Sequence, residues 1–240
     1  MYKKKSLGQH FLHNPFYLNT VADAADIKEG ETVLEIGPGE GALTEKLLER
    51  GANVIALEKD SRLIEGLRKK FSGKDLEVIE GDALEFDISN YALKDYKVVG
   101  NIPYYISGAL FKKFLTTEHQ PSRLVFLVQK EVAQRIARSK KESILSLSVK
   151  AYGNPKYIKT VPAGAFSPPP KVDSAILLIE NISRTNFKNK KHEEKFFELV
   201  KKGFSQKRKL LRNTLGDIGA LSTARAEDVS LGEWLELSRS

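Results

Sequence analysis

Asn101-Ile102-Pro103-Tyr104 is the stretch whose residue types could do chemistry together. A carboxamide, a proline-stiffened turn and an aromatic ring in a row suit a flat polar ring. The Asn101 side-chain oxygen can accept a hydrogen bond from an exocyclic amine. The carbonyl of Ile102 can accept a second, because Pro103 restricts the residue before it to an extended conformation. Tyr104 can stack on the ring face. An ordinary strand-to-helix loop also uses Asn and Pro as turn residues, so four residues alone do not decide the matter.

A second group precedes it. Gly37, Gly39 and Gly41 follow the apolar run Thr32–Ile36, and glycines there let the backbone pass close to a ligand. Gly37-x-Gly39-x-x-Ala42 fits a dinucleotide fingerprint, and Glu58, 16 residues past Ala42, could hold a ribose. That leaves an NAD-dependent oxidoreductase open. Glu35-x-Gly37-x-Gly39-x-Gly41 reads at least as well as the first motif of S-adenosylmethionine (SAM) methyltransferases. Glu58 would then bond the ribose hydroxyls, and Asp82 the adenine amine of the cofactor.

Asn101–Tyr104 separates these readings. It resembles the (Asp/Asn)-Pro-Pro-(Tyr/Phe) signature of methyltransferases that act on exocyclic amines of nucleobases, for which a dehydrogenase has no use. An adenine amine is a poor nucleophile because its lone pair is delocalised into the ring. Two acceptors on its hydrogens favour a pyramidal nitrogen aimed at the methyl donor, and positioning of this kind can supply most of the rate. No general base of shifted pKa is required. The four histidines (10, 13, 119 and 192) show no metal-ligand spacing, and the absence of cysteine excludes disulfides and thiolate sites. No metal is expected.

The elements that must position these residues are legible from periodicity. Asn14-Pro15 suits a helix start, and Leu18, Val21, Ala22 and Ala25 recur at helical spacing. Strands are expected at 32–36, 53–58, 76–80, just before Asn101, and at 124–128. Helices are expected at 43–48, 60–71, 130–138 and 144–152, and extended runs at 157–161 and 172–179. Strands alternating with helices imply a doubly wound, mostly parallel sheet. Ser6–Leu12 has no clear period and reads as an arm. Beyond Glu180 only helices are expected, at 192–202, 205–215 and 230–237, with a boundary near 181–190. The expected division is 1–182 and 183–240.

With 240 residues and 41% hydrophobic content the chain can bury a real core. No apolar run approaches the ~20 residues that span a bilayer. The N-terminus lacks the apolar core of a signal peptide, so a cytoplasmic protein is expected, and nothing demands more than a monomer. The net charge of +8 is unevenly placed. Residues 1–14 carry Lys3, Lys4 and Lys5 and no acid, and residues 181–240 carry 13 Lys and Arg against 8 Asp and Glu. The body between them is neutral. Two basic ends on a balanced body suit a polyanion such as nucleic acid, although a merely solvated basic surface has the same composition.

Five segments then occur in order: Gly8–Leu12, Glu35–Gly41, Asn101–Tyr104, Gln129-Lys130-Glu131-Val132-Ala133 and Phe166-Ser167-Pro168-Pro169-Pro170-Lys171-Val172-Asp173-Ser174-Ala175. Together they resemble the rRNA adenine N6,N6-dimethyltransferase family, from Ser6 to nearly the end. The triple proline and the basic Ser205–Arg212 segment resemble its KsgA (RsmA) branch. That branch dimethylates two adjacent adenosines in the 3′-terminal hairpin loop of small-subunit rRNA, late in assembly of the 30S particle. The Erm branch modifies one adenosine of large-subunit rRNA and confers macrolide resistance.

The resemblance implies a Rossmann-like SAM methyltransferase domain followed by a small all-helical RNA-binding domain. It implies cofactor contacts from His10 and Leu12 through their backbones, and from Glu35, Gly37, Gly39, Glu58, Asp82 and Asn101. Catalysis would fall to Asn101, Ile102, Pro103 and Tyr104. Phe166 would close on the flipped base opposite Tyr104, or anchor the proline loop in the core. Lys3, Lys4, Lys5, Lys207, Arg208, Lys209 and Arg212 would contact rRNA phosphates. Many family members carry Asn where His10 stands, and Asn is also common at Tyr105. The target adenine must leave its stack, at a lower cost in a loop than in a duplex.

Overall fold

The structure, a computed structural model, describes residues 10–91 and 95–239. The expected phosphate contacts Lys3, Lys4 and Lys5 lie outside the described residues.

A seven-stranded sheet is built from β2 (Thr32–Ile36), β3 (Asn53–Glu58), β4 (Leu76–Glu80), β5 (Tyr96–Asn101), β6 (Arg123–Gln129), β7 (Asn154–Val161) and β9 (Ser174–Glu180), in the order β4-β3-β2-β5-β6-β9-β7. The first five run parallel, and β9 is antiparallel to both β6 and β7. The central strands are apolar on both faces, as parallel strands covered by helices must be. In β6, Leu124, Phe126 and Val128 feed one core while Val125 and Leu127 feed the other. Helices α1 (Pro15–Ala25) and α2 (Ala42–Leu48) cover the second face; α4 (Ser107–Thr116), α5 (Lys130–Ala137) and α6 (Ile144–Lys150) cover the first. Helix α3 (Ser61–Lys70) packs beside β4 around Leu63, Leu67 and Val78.

The helix starts follow capping chemistry. Asn14 accepts from the Phe16 N–H with Pro15 in the first turn, Asp60 caps α3, and Asn189 caps α7 (Lys190–Phe204). The sheet is doubly wound: from β2 the chain runs outward through β3 and β4, then returns to β5 on the other side of β2. The carboxyl ends of β2 and β5 therefore flank the switch point, where sheets of this type hold ligands.

Two expectations are corrected. The arm is not without regular structure: β1 (Phe11–Leu12) pairs antiparallel with β8 (Phe166–Ser167), Leu12 opposite Phe166. The expected helix over 205–215 shrinks to α8 (Arg212–Leu215). Leu210 bridges to Arg225, and the Leu211 N–H donates to the Ala224 carbonyl at 2.8 Å. These bonds draw the chain across, with Leu211 wholly buried, whereas a continuous helix would turn the Leu211 N–H back to the carbonyl four residues earlier. Burial of Trp234, on α9 (Leu231–Arg239), acts in the same place: a Cβ at Gly203 would come within 2.4 Å of its ring. Phe196, Val200, Leu211 and Trp234 belong to the same apolar cluster as α4 and α6, so the helical segment and the sheet share a core.

Candidate active site

The carboxyl ends of β2 to β5 enclose a cavity of about 250 Å³. Its floor is the glycine loop. After Ile36 the chain turns sharply, with the Gly37 N–H donating to the Leu57 carbonyl at 3.0 Å. Gly37 and Gly39 have φ of +68° and +60°, conformations that L side chains rarely adopt. At Gly39 there is also no room: a Cβ would approach the Phe11 ring to 2.6 Å. The arm thus lies directly over the loop.

Three acids were expected here, and the structure separates them. Glu58 ends β3 on the cavity wall, buried, with Oε2 accepting from the Gly39 N–H at 3.0 Å and Oε1 from the Asp60 N–H at 2.8 Å. Burial raises its pKa, and the two backbone donors oppose that rise. Asp82 is also on the wall. Its Oδ2 pairs with the Lys59 ammonium at 2.5 Å and its Oδ1 accepts from the Leu84 N–H at 2.9 Å. The hydrogen bond from Lys59, then that from Leu84, hold its pKa below the usual carboxylate value. Glu35 does not reach the cavity. It lies 1% exposed beneath the loop, with Oε2 accepting from the Thr44 hydroxyl at 2.6 Å and Oε1 without a hydrogen-bond partner among the described residues. Desolvation pushes its pKa up to about 8, so it is largely neutral near pH 7.

Across from the acids, Asn101 ends β5. Its Nδ2 donates to the backbone carbonyl of His10 at 2.8 Å. A carbonyl can only accept, so this bond fixes which end of the carboxamide is nitrogen and leaves Oδ1 as its acceptor. The next residues form the adjoining wall: Ile102 is buried, and Pro103 leads into a 3₁₀ turn at Tyr104–Ile106. The Tyr104 hydroxyl meets Ser174 Oγ at 2.5 Å, and its ring lies near-parallel to that of His10, with centroids 6.3 Å apart and planes 18° apart. Burial raises the Tyr104 pKa, so its hydroxyl stays protonated. His10 is also tied to the proline loop, its Nδ1 lying 2.8 Å from the Pro168 carbonyl.

The structure therefore brings together His10, Gly37, Gly39, Glu58, Asp82, Asn101, Ile102, Pro103 and Tyr104. It does not bring the Phe166 ring or the Leu12 side chain to this wall, although Leu12 lies beside Gly37 and Asn101 along the arm. Both are buried in the cluster with Val21, Val161 and Ile176, where their strand pairing holds them. Lys207, Arg208, Lys209 and Arg212 are exposed on the turn after α7 and at the start of α8. The sequence reading missed Lys59 and Ser174. Lys59 directly follows the strand-end acid Glu58, a signal that could have found it. Ser174 lies within the proline segment quoted above, but it is 70 residues from Tyr104, and nothing local pairs the two. Among the described residues, no group of three or more His, Cys, Asp or Glu could hold a metal ion, and no helix is long and apolar enough to cross a membrane.

The chain is 42% identical over 253 residues to the ribosomal RNA small subunit methyltransferase A of Dehalococcoides mccartyi strain CBDB1, covering 98% of this chain and 87% of the relative. It is 39% identical to the protein of the same name from Fusobacterium nucleatum, covering 98% and 96%. Among solved structures it is similar to the 23S rRNA methyltransferase ErmE (TM-score 0.80, 26% identity, 95% and 98% covered). A dimethyladenosine transferase from Plasmodium falciparum is equally similar in fold (TM-score 0.80, 28% identity, 95% and 96% covered). The sheet is thus of the Rossmann-like methyltransferase type. A family described as ribosomal RNA adenine dimethylase matches residues 1–230, and the chain belongs to that family.

Proposed function

We propose that this protein transfers methyl groups from SAM to the N6 amines of two adjacent adenosines in the 3′-terminal hairpin loop of small-subunit rRNA, late in assembly of the 30S particle. The observation that carries the reading is the His10–Asn101 hydrogen bond, which spends the amide nitrogen inside the protein and leaves the oxygen to accept. An amine donates hydrogens, so an acceptor held in advance suits it and costs no reorganisation.

The residues present fit the cofactor. The glycine loop lines the cavity with Gly37 and Gly39 at positive φ, and acids at the end of β3 and just past the end of β4 stand beside it. SAM, when bound, supplies an electrophilic methyl group. Glu58 would accept from the ribose hydroxyls with its remaining lone pairs, its carboxylate already aimed by Gly39 and Asp60. Asp82 would accept from the cofactor's adenine amine. Glu35 would act from below, supporting the loop through Thr44. On the substrate side Asn101 Oδ1 and the Ile102 carbonyl would hold the two amine hydrogens, and Tyr104 would stack on the base. Its hydroxyl anchor on Ser174 fixes the far end of that ring. The alkylated nitrogen would lose its surplus proton to bulk water, with no side chain required to hold it.

The segment 183–240 would act as a small helical RNA-binding domain, with Lys207, Arg208, Lys209 and Arg212, together with Lys3–Lys5, neutralising phosphates. A monomer working in the cytoplasm suits this role. Phe166, if it closes on the base at all, would have to leave the core for it. A large-subunit target of the ErmE kind has support from the shared fold, but identities of 42% and 39% to small-subunit enzymes against 26% favour the small subunit. Family membership sets the NAD-dependent oxidoreductase aside. The test offers labelled SAM with immature small and large subunits separately. Label on two adjacent adenosines of small-subunit rRNA is expected; label confined to large-subunit rRNA would move the assignment to the other branch.

A further inference from the structure

The fold treats two consecutive tyrosines at the cavity mouth in opposite ways. Tyr104 is anchored through Ser174 and packed beside His10. Tyr105 is 71% exposed, the most exposed large hydrophobic side chain among the described residues, yet it lines the same cavity. An aromatic ring standing in water at the mouth of this cavity is placed to stack on a flat base that passes it. Past it the chain enters α4, where Gly108 is exposed and a Cβ on it would meet nothing within 4 Å. Lys112, one turn further on, is exposed as well. Gly108 and Lys112 line a second cavity, about 1400 Å³, between α4, α6 and α7. Ile106 lines the first cavity, so the two openings adjoin across Ser107.

We propose that Tyr105 is a stacking platform for the nucleobase next to the adenosine held in the cavity. The proposal rests on the nucleobase-amine reading above. Drawing one base out of its stack strips the neighbouring base of its partner on that side. Every base has a π face, so an exposed ring replaces that partner without reading sequence. The two target adenosines are adjacent, so the ring holds one at the mouth while the other is inside. Beyond the ring, bare Gly108 leaves room for the sugar-phosphate backbone, and Lys112 supplies charge for a phosphate.

The experiment measures methylation kinetics on immature small subunits for wild type and for Tyr105→Ala, Tyr105→Asn and Tyr105→Phe, with SAM affinity measured separately by calorimetry. Losing the stack in the Ala and Asn variants raises KM for the particle about tenfold, more than it lowers kcat. SAM affinity is unchanged, and Tyr105→Phe recovers most of the loss because it keeps the ring. The Ala variant also accumulates rRNA dimethylated at only one of the two adenosines. An unchanged KM in the Ala and Asn variants overturns the proposal. So does a matching loss of SAM affinity, which would make the ring a wall of the cofactor site. A wild-type protein that transfers no methyl group to rRNA overturns the underlying reading, and the platform with it. Active wild type with an indifferent Tyr105→Ala overturns the platform alone.

Discussion

The two halves of the cavity are built from different ranges of the chain. On the acid side the contacts are local: Glu58 binds the backbone of Gly39 and Asp60, at sequence separations of 19 and 2. On the amide side they are distant: Asn101 is held by His10 across 91 residues and Tyr104 by Ser174 across 70. The first half is a turn that organises its own acceptors. The second is a pair of side chains whose direction is set by an arm and by β9, two strands along the sheet from β5. The acid side should therefore govern how tightly cofactor is held, and the amide side how fast the methyl group moves.

The largest expected effect lies on the amide side. Asn101→Ala should lower kcat about 10²- to 10³-fold, the usual loss when one prearranged hydrogen-bonding group at a reacting centre is removed. Calorimetry should find cofactor affinity changed far less. A near wild-type rate would break the contrast between the halves. On the acid side, Glu58→Gln should weaken SAM binding about 10- to 100-fold, the range for losing a charged hydrogen-bond acceptor. At saturating cofactor its kcat should recover. If kcat falls as far as in Asn101→Ala, the two halves do not divide the work.

A smaller effect belongs to the basic turn. Changing Lys207, Arg208 and Arg212 together to Ala should weaken RNA binding and flatten its log–log salt dependence by about 2, given ~0.7–0.9 per phosphate contact. Binding measured across salt concentrations checks this, and an unchanged slope removes these residues from the interface. The remaining test reads stability rather than catalysis and concerns the acid buried beneath the loop. Folded Glu35 keeps its proton up to about pH 8, whereas the unfolded side chain releases it near 4.5. Between those values the folded state binds more protons, so this group's contribution to stability falls as pH rises. In Glu35→Gln that decline is absent. Chemical denaturation of both proteins at pH 5 and pH 8 should find the variant gaining on wild type at the higher pH; a constant difference would mean Glu35 is already ionised.

The same division explains what the sequence made legible. The parallel strands, the glycine loop and the acids at 58 and 82 follow from periodicity and short motifs, because local physics builds them. The order of strands beyond β6, where β9 inserts ahead of β7, is a matter of sheet pairing that periodicity does not encode. Nor does periodicity mark the pairing of Leu12 with Phe166, which takes both residues into the core. Residues 205–215 carry helical spacing, but burial of Leu211 beside Trp234 and Gly203 outweighs it. Asn101 itself stood out by type and position. The direction of its carboxamide did not, because that depends on a single carbonyl in the arm.

The most direct measurement is a crystal structure of the protein with demethylated cofactor product and an adenosine-containing RNA hairpin. The account predicts Asn101 Oδ1 at ~3 Å from the N6 nitrogen of an extruded adenine, a normal hydrogen-bond length, with Nδ2 still on the His10 carbonyl and the ring of Tyr104 against the base. A carboxamide turned away from that nitrogen, or one that has left His10 to bind elsewhere, would contradict it.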